Sequence, residues 1–438
     1  MEHAHPPSWL ERLKASPLGR WEYRLKLRAK ALLAPVEQWR DARYLRALPA
    51  RVEALSRKPR IRVLFWAMHP AYWRADSLYR AMREHPRFDP LIVVCGSVER
   101  GRAAMLRDAG EMARHLDAQG LPYLRAYDEA TGRWADIRAL DPDLLFYAKP
   151  YTGLLPRAYE FDRFRDKLFI YLPYAMQTTN PPELCNTRYC RLSWLQFYET
   201  PLVFHHSPIL RRNSRITGSS KADAFLQRAQ AGPTSPWKPQ AAPRPPKRII
   251  WAPHHSIGGG SLAYSNFLAV ADDFLALALR MAGTVQFAFK PHPLLRTTLY
   301  AHKEWGPERT DAYYRTWSEA PNLQFEDGDY VDLFLTSDAL IHDCGSFTAE
   351  YLMTRRPVLY LAKQHHDATL NGFGIEAFAL HYQGSTMADV ERFLTDTVLG
   401  GADPLAPQRE AFFRTHLTPP DGRTAAENMI HEILTFKA

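Results

Sequence analysis

IRVLFWAMHPAYWRADSLYRAMREHPRFDPLIVVC, residues 61–95, is the stretch that decides the fold. It contains an apolar run at Ile61–Met68, a mixed segment that predicts a helix over Asp76–Glu84, and a second apolar run at Pro90–Cys95. Short, fully apolar runs are typical of strands that are buried on both faces of a parallel sheet. A strand, a helix and a strand in this order therefore predict one βαβ unit of an α/β domain.

The same alternation extends over residues 60–231, which we predict to form one doubly wound domain. Its further apolar runs are at 123–127, 143–147, 167–172 and 202–206. Residues 232–247 contain six prolines and few large apolar side chains, which is typical of a semi-rigid linker.

A second α/β series follows over residues 248–438. Its apolar runs are at 248–252, 285–290, 331–335, 339–342 and 357–361, and its helices are predicted at 267–282, 346–354 and 424–436. Two Rossmann-like domains joined by a linker predict a ligand-binding cleft that faces the carboxyl ends of both sheets.

The 438-residue chain has a formal net charge of +9, and nearly all of this charge lies in the first 60 residues. They hold 14 lysines and arginines against 6 acidic residues, whereas the remainder holds 42 against 41. A nearly neutral body lacks the basic face that nucleic acid requires, so we expect no nucleic-acid partner. Because there is no long apolar run, no signal-peptide core and only four scattered cysteines, we expect no membrane-spanning helix, no secretion and a reducing cytoplasmic location.

Residues 1–59 predict a basic amphipathic helix. Its apolar stripe would contain Leu18, Trp21, Leu25, Ala29, Leu32, Val36 and Trp39, and it is flanked by Arg24, Lys26, Arg28 and Lys30. Tryptophans at both ends and flanking cations favour binding to an anionic membrane surface through residues 1–58. The alternative is that the stripe packs on the protein's own first domain and that the cations form a solvated face.

The most informative site candidate is SDALIHDCGSFTAEYLMTRRPVLYL at Ser337–Leu361. An apolar strand ends at Asp343, a tight Cys-Gly-Ser turn follows, and a helix is predicted to begin. Backbone N–H groups at a helix start, together with the hydroxyls of Ser346 and Thr348, could bind a nucleotide pyrophosphate. The alternative is an ordinary helix cap without a ligand.

Two further loops are predicted at strand ends of the second domain. Lys290-Pro291-His292-Pro293 would present a cation and an imidazole on a stiff loop, where they could neutralise phosphate charge or transfer a proton. The segment 251–261 places His254 and His255 before three glycines that would allow a close backbone approach to a ligand. A rigid surface loop and a flexible glycine loop are the respective alternatives.

A metal site is not predicted. The candidate ligands, in addition to Asp343, are His254, His255, His292, His342, His365 and His366. None of them shows the short, fixed spacing of a zinc helix or a zinc finger. The chain also has no nucleophile elbow, Walker loop or GxGxxG fingerprint, which argues against a common hydrolase, a nucleoside triphosphatase and an NAD enzyme.

Taken in order, these motifs resemble the CDP-glycerol glycerophosphotransferase family, the teichoic-acid and capsule polymerases and primases of bacteria. The resemblance lies in WAP at 251–253, KPHP at 290–293 and SDALIHDCGSFTAE at 337–350, with looser matches in PDLLFYAKPY at 142–151, YLPYAMQT at 171–178 and ITGSSKAD at 216–223. It implies a GT-B-like fold and a location on the inner face of the cytoplasmic membrane, reached through the basic N-terminal segment.

The resemblance also implies a donor site. The pyrophosphate of a CDP-activated donor would lie among His292, Ser346, Phe347 and Thr348, with Lys290 and Glu350 nearby and with Asp343 and Gly345 in the turn. The family's paired serines are Gly345 and Ser346 here, its tyrosine is Cys344, and the Trp-His-Gly acceptor motif of many members is absent. His254 and His255 are the remaining candidates for acid–base help across the cleft.

The expected function is therefore the transfer of glycerol phosphate, or a related phosphopolyol, from a CDP-activated donor to a hydroxyl of a surface glycan or a lipid-linked acceptor. No cofactor is expected besides this donor. Two alternatives stay open: a nucleotide-sugar glycosyltransferase in capsule or lipopolysaccharide synthesis, and a non-catalytic membrane-associated homologue.

Overall fold

Two fully parallel sheets form the frame of the protein in the computed structural model, which describes residues 34–149, 151–179, 187–240, 244–258, 265–361 and 370–437. The first sheet has seven strands in the order β3-β2-β1-β6-β7-β8-β9, and the second has six in the order β12-β11-β10-β13-β14-β15. All strand pairs in both sheets are parallel. The structure therefore confirms two Rossmann-like domains.

Seven strands build the first sheet, and a small antiparallel hairpin accompanies it. The sheet strands are β1 (Ile61–Ala67), β2 (Phe88–Val94), β3 (Leu124–Arg125), β6 (Leu144–Tyr147), β7 (Leu168–Tyr171), β8 (Leu195–Tyr198) and β9 (Ser214–Ile216), and the hairpin strands are β4 (Tyr127–Asp128) and β5 (Arg133–Trp134). The second sheet is formed by β10 (Lys247–Ala252), β11 (Val285–Phe289), β12 (Leu323–Phe325), β13 (Ala339–His342), β14 (Val358–Leu361) and β15 (Tyr382–Gly384).

The α-helices lie before, between and after these strands. In chain order they are α1 (34–46), α2 (Leu48–Arg57), α3 (Asp76–Glu84), α4 (Arg102–Ala118), α5 (Arg188–Leu192), α6 (Ser220–Ala231), α7 (Phe267–Arg280), α8 (Leu295–Tyr300), α9 (Gly306–Glu319), α10 (Val331–Thr336), α11 (Phe347–Glu350), α12 (Gly372–Phe378), α13 (Met387–Arg392), α14 (Ala406–Phe412) and α15 (Ala425–Thr435). Within the described ranges, none of the helices is long and apolar enough to cross a membrane.

Strand β10 shows why fully apolar strands are needed in the centre of the second sheet. Ile249 and Trp251 pack into a core on one face, whereas Ile250 and Ala252 pack into a different core on the other face. Trp251 stacks on Phe274 with a distance of 4.0 Å between ring centroids. Burial on both faces selects the continuous apolar pattern that the sequence shows.

Helix α15 and the proline-rich segment make contacts across the predicted domain boundaries. Helix α15, near the end of the predicted second domain, packs its apolar side chains into the core of the first sheet, where Met429 and Ile433 are buried. Its first backbone N–H groups donate to the carboxylate of Asp223 in α6 at 2.7 and 2.9 Å. The proline-rich segment is also anchored, because Trp237 is buried against the second sheet.

Two local predictions were wrong, and a third was right about the helical segment but not about its helix type. The run at 202–206 belongs to a 3-10 helix, Pro201–Phe204, which begins at a capping Thr200 and a proline, while the neighbouring strand is β8. The run at 331–335 is the helix α10 rather than a strand. The helix predicted at 346–354 is one α-helical turn, α11, that continues as a 3-10 helix.

The N-terminal stripe lies mostly in residues 1–33, outside the described residues. Its last two members, Val36 and Trp39, lie on α1 and have exposed fractions of 46% and 55%. The buried side chains of this region are instead Tyr44 and, in α2, Leu48, Val52 and Leu55, which pack on the first domain.

Candidate functional site

Three histidines meet at the carboxyl edge of the second sheet. His254 and His255 follow β10, and His292 follows its neighbour β11, so parallel pairing brings both loops to the same edge. The ring centroids lie 4.2 Å apart for His254 and His255, 4.1 Å for His255 and His292, and 4.9 Å for His254 and His292. The backbone N–H of His292 also donates to the carbonyl oxygen of Pro253 at 2.9 Å, which joins the two loops.

The three imidazoles are neutral near pH 7. Burial, with a smaller contribution from the neighbouring imidazoles, lowers the pKa of His254 to about 3 and the pKa of His292 to about 4. Burial also lowers the pKa of His255. A protonated imidazole would face its neighbours as a like charge in a poorly solvated place, so the cluster excludes the cationic form.

The surrounding backbone fixes where the ring protons lie. The N–H of Leu294 donates to Nδ1 of His292 at 3.1 Å, and the N–H of Ser256 donates to Nδ1 of His254 at 3.3 Å, with the hydroxyl oxygen of Ser256 at 2.8 Å from the same Nδ1. An Nδ1 that accepts a hydrogen bond carries no proton, so the proton of each neutral ring is on Nε2. Nδ1 of His255 is buried and has no hydrogen-bond partner in the described structure.

This arrangement suits an anion better than a metal ion. The histidine ligand atoms lie within 4.8 Å of one another, so by distance alone the cluster could hold a metal, contrary to the expectation from sequence spacing. A histidine that binds a metal through Nε2 donates a proton from Nδ1 to a second group, whereas here Nδ1 of His254 and Nδ1 of His292 accept from backbone N–H groups. Two Nε2–H groups are donors, and donors are what phosphate oxygens need.

Asp343, at the end of β13, holds the site loops in place. Its buried carboxylate accepts from the N–H groups of His254 and Asn266, and from the hydroxyl of Ser265 at 2.9 Å. Burial raises the pKa of Asp343 to about 7, although these hydrogen bonds oppose the rise. The predicted turn residue therefore fixes the histidine loop rather than facing a ligand.

Lys290 ends β11 with a buried ammonium group. Its Nζ donates to the carbonyl oxygen of Gly328 at 2.8 Å and lies 5.6 Å from the ring centroid of Tyr330. Burial lowers the pKa of Lys290. The predicted lysine is therefore present directly after β11, but its ammonium contacts Gly328 and Tyr330, in surroundings where water screens its charge poorly.

The turn after β13 separates the predicted donor residues. Ser346 is exposed and Gly345 is partly buried, whereas Thr348 is buried and its hydroxyl donates to the carbonyl oxygen of Cys344 at 3.4 Å. The ring of Phe347 packs on Tyr330 with 5.1 Å between centroids. Of the two predicted hydroxyls, only that of Ser346 is at the surface.

Glu350 is engaged by the other domain. Its carboxylate, in a residue with an exposed fraction of 1%, accepts from Nζ of Lys221 at 2.6 Å and from the hydroxyl of Tyr330 at 2.5 Å. Lys221 lies in the first turn of α6 and is itself buried. Burial and the neighbouring Arg74 lower the pKa of Lys221, while Glu350 opposes this effect.

The first sheet contributes two groups that were not predicted. Arg74, after β1, donates from Nε to the carbonyl oxygen of Tyr174 at 2.7 Å, and Glu199, at the end of β8, is buried with its pKa raised to about 7 by burial. Lys221 could have been found in the motif SSKAD at 219–223. Arg74 and Glu199 follow strand ends but have no local pattern that marks them.

Comparisons with known proteins support the architecture. No family model matches the sequence, and no curated protein matches it. MnaA from S. aureus, solved with UDP, is 14% identical with a TM-score of 0.54, and the match covers 86% of this chain and 96% of that chain.

Two further solved structures have similar values. UDP-GlcNAc 2-epimerase from Neisseria meningitidis, bound to UDP-GlcNAc, has 14% identity, a TM-score of 0.53 and coverage of 86% and 100%. The H548A variant of the wall teichoic acid polymerase TagF has 12% identity, a TM-score of 0.51 and coverage of 91% and 97%. At these identities the likeness establishes the fold alone, and it confirms the predicted GT-B arrangement of two Rossmann-like domains.

Proposed function

We propose that this protein is a transferase that moves glycerol phosphate, or a related phosphopolyol, from a CDP-activated donor to a hydroxyl of a bacterial surface glycan or a lipid-linked acceptor. The observation that carries the proposal is the cluster of neutral imidazoles, in which His254 and His292 have Nε2–H donors, on loops at the strand edge where Lys290 precedes His292 by two residues. Such a cluster can bind a pyrophosphate without a metal ion. The resemblance of KPHP and SDALIHDCGSFTAE to the glycerophosphotransferase family supports the same donor.

The proposed transfer reaction follows from the position of these donors and of Lys290. The acceptor hydroxyl attacks the phosphorus of the glycerol phosphate in line, a new P–O bond forms, and the bond to CMP breaks. Negative charge develops on the phosphoryl oxygens and on the leaving CMP, where fixed donors and a fixed cation stabilise it. His255 is the candidate for proton transfer, because its buried Nδ1 has no partner among the described residues.

A second candidate is a nucleotide-sugar transferase. It is favoured by the fold likeness to the MnaA–UDP and UDP-GlcNAc-bound structures, whose ligands are uridine nucleotides. The same imidazole cluster would then bind the pyrophosphate of a nucleotide sugar. The two candidates therefore differ in the base and in the transferred group.

Nucleotide binding distinguishes these candidates. We expect CDP-glycerol and CMP to raise the thermal unfolding midpoint more than UDP-sugars or GDP-sugars do, and we expect His292→Ala to reduce CDP-glycerol affinity about tenfold or more, because a charge-assisted hydrogen bond to phosphate contributes roughly 1.5–3 kcal/mol. Mass spectrometry of the products from a donor-by-acceptor matrix identifies the transferred group.

His85→Ala is the matched control. Nδ1 of His85 also accepts a backbone N–H, that of Arg87 at 3.2 Å, but His85 precedes β2 and so lies at the opposite edge of the first sheet. A preference for UDP-sugars or GDP-sugars would contradict the glycerophosphate proposal. Binding without turnover of any donor would favour the non-catalytic alternative.

We also propose that the protein binds the inner face of the cytoplasmic membrane through residues 1–58, where a lipid-linked acceptor would be held. The basic excess of this segment and the exposed side chains of Val36 and Trp39 support this location.

A further inference from the structure

A lysine flanked by aromatic rings lies at the carboxyl edge of the first sheet. Lys149 follows β6, and its Nζ lies 3.4 Å from the ring centroid of Tyr72 and 5.8 Å from that of Tyr174. Tyr72 follows β1 and Tyr174 follows β7, and their rings meet edge to face at 5.3 Å. Because β1, β6 and β7 are adjacent in the sheet, three loops join in this cluster.

The ammonium of Lys149 lies against aromatic faces. Among the described residues, no carboxylate pairs with it, and the nearby Asp108 is engaged by Arg100 at 3.0 Å. Burial lowers the pKa of Lys149 to about 8, although Glu99 and Asp108 oppose this effect. A lysine usually keeps its ammonium in water, so a partly desolvated one that makes no ion pair with a described residue indicates a place for an anion that arrives with a ligand.

Arg74 adds a second cation next to Tyr174. Its Nε donates to the carbonyl oxygen of Tyr174, and its Nη1 donates to that of Trp73 at 3.3 Å. Its Nη2 makes no hydrogen bond to a described residue. Helix α6 links this cluster to the second domain. The hydroxyl of Ser220 donates to the carbonyl oxygen of Arg74, and the adjacent Lys221 pairs with Glu350.

We propose that Lys149 and Arg74, flanked by Tyr72 and Tyr174, bind the negatively charged group of the acceptor, a phosphate or a carboxylate. This inference rests on the proposed function, because it places the acceptor on the first domain and the donor at the histidine cluster. The cations neutralise the acid group, and the tyrosines provide apolar faces for a sugar or polyol backbone. The site therefore selects anionic acceptors over neutral glycans.

Calorimetric titration tests the site without requiring turnover. The probes are glycerol 3-phosphate, glucuronate and the neutral methyl glucoside, each titrated with and without CDP. We expect at least one charged probe to bind more tightly than methyl glucoside and to bind in the presence of CDP. The affinity of Lys149→Gln for that probe should be tenfold or more lower than that of the wild type. Whichever probe binds identifies the group as a phosphate or a carboxylate.

Two variants complete the design. Tyr72→Leu removes the aromatic face under the ammonium and should weaken the charged probe severalfold, whereas Lys303→Gln removes an exposed lysine on the second domain and should leave its affinity unchanged. Equal affinity of the charged probes for wild type and Lys149→Gln would overturn the inference, as would displacement of the probe by CDP.

The binding measurements distinguish a failure of the proposed function from a failure of this inference. If cytidine nucleotides do not bind but a charged probe binds in a Lys149-dependent manner, the donor assignment is wrong and the anion site stands. If cytidine nucleotides bind and the affinity for the charged probes does not depend on Lys149, the anion site is wrong and the donor assignment stands.

Discussion

Lys221 and Glu350 are a buried ion pair whose two members come from different domains. The exposed fractions of their side chains are 5% and 1%, and the Nζ–Oε2 distance is 2.6 Å. The hydroxyl of Tyr330 gives the carboxylate a second donor. Removing one partner of such a pair leaves a charge without compensation, which is far more unfavourable than removing both.

We therefore expect Lys221→Met to lower the free energy of unfolding by about 3–5 kcal/mol. The double variant Lys221→Met/Glu350→Gln should recover most of this loss, because the amide that replaces the carboxylate is neutral and can still accept from Tyr330. Urea unfolding, followed by tryptophan fluorescence, measures both values.

An exposed ion pair serves as the control. Arg280 pairs with Glu391 at 3.2 Å, and both side chains are more than half exposed. Arg280→Met should change the stability by about 1 kcal/mol or less. The ion-pair argument is wrong if Lys221→Met behaves like this control, or if the double variant is less stable than the single one.

At the scale of helices and strands, the sequence predicts the elements that have strong local patterns. The helix Asp76–Glu84 and the strand Ala339–His342 agree with the structure at both ends, because each is a short periodic or apolar run between clear boundaries. Strand β8 was missed because Gln196 interrupts its apolar run. This side chain is buried only because its amide donates to Cys190 and Asn213, which no local pattern reveals.

The candidate site shows the same contrast between local sequence patterns and tertiary contacts. Strand ends located His254, His255 and His292 correctly at one edge, since parallel pairing makes the loops after β10 and β11 neighbours. The ring tautomers depend on backbone N–H groups of the folded loops, and the partner of Glu350 comes from 129 residues away in the chain. Contacts of this kind depend on the tertiary fold, so the sequence predicts the loops but not the interdomain pairs.

Helix α1 provides the test of membrane binding. Trp39→Ser removes an exposed apolar ring from the proposed contact surface, and we expect affinity for vesicles of phosphatidylcholine and anionic phosphatidylglycerol to fall roughly fivefold, or about 1 kcal/mol. Sedimentation with vesicles measures the bound fraction.

Trp134→Ser is the matched control, because Trp134 is also exposed but lies in the β4–β5 hairpin. Equal vesicle binding by the Trp39 and Trp134 variants would contradict the assignment of α1 to the membrane surface. Deletion of residues 1–58 should abolish binding if the proposal is correct.

At the scale of the whole molecule, the two domains are joined by backbone contacts near the cleft as well as by ion pairs. The N–H of Asn371 donates to the carbonyl oxygen of Thr178 at 3.1 Å, and the N–H of Gly372 donates to that of His205 at 2.8 Å. Helix α12 thus rests its first turn on two loops of the first domain. The relative position of the proposed donor and acceptor sites depends on this contact.

Gly374 makes this close contact possible. A Cβ added at this position would lie 2.0 Å from the carbonyl oxygen of Thr178, and the obstacle is backbone that cannot rotate away. Gly374→Ala should therefore separate α12 from the first domain, lower the stability by about 1–3 kcal/mol and increase the radius of gyration in small-angle scattering.

Gly110→Ala is the matched control, because its added Cβ would meet only the side chain of Arg114, at 3.6 Å, within α4. That change should raise stability by about 0.5–1 kcal/mol, since alanine favours a helix interior. Unchanged stability and scattering in Gly374→Ala would mean that α12 does not set the spacing of the domains.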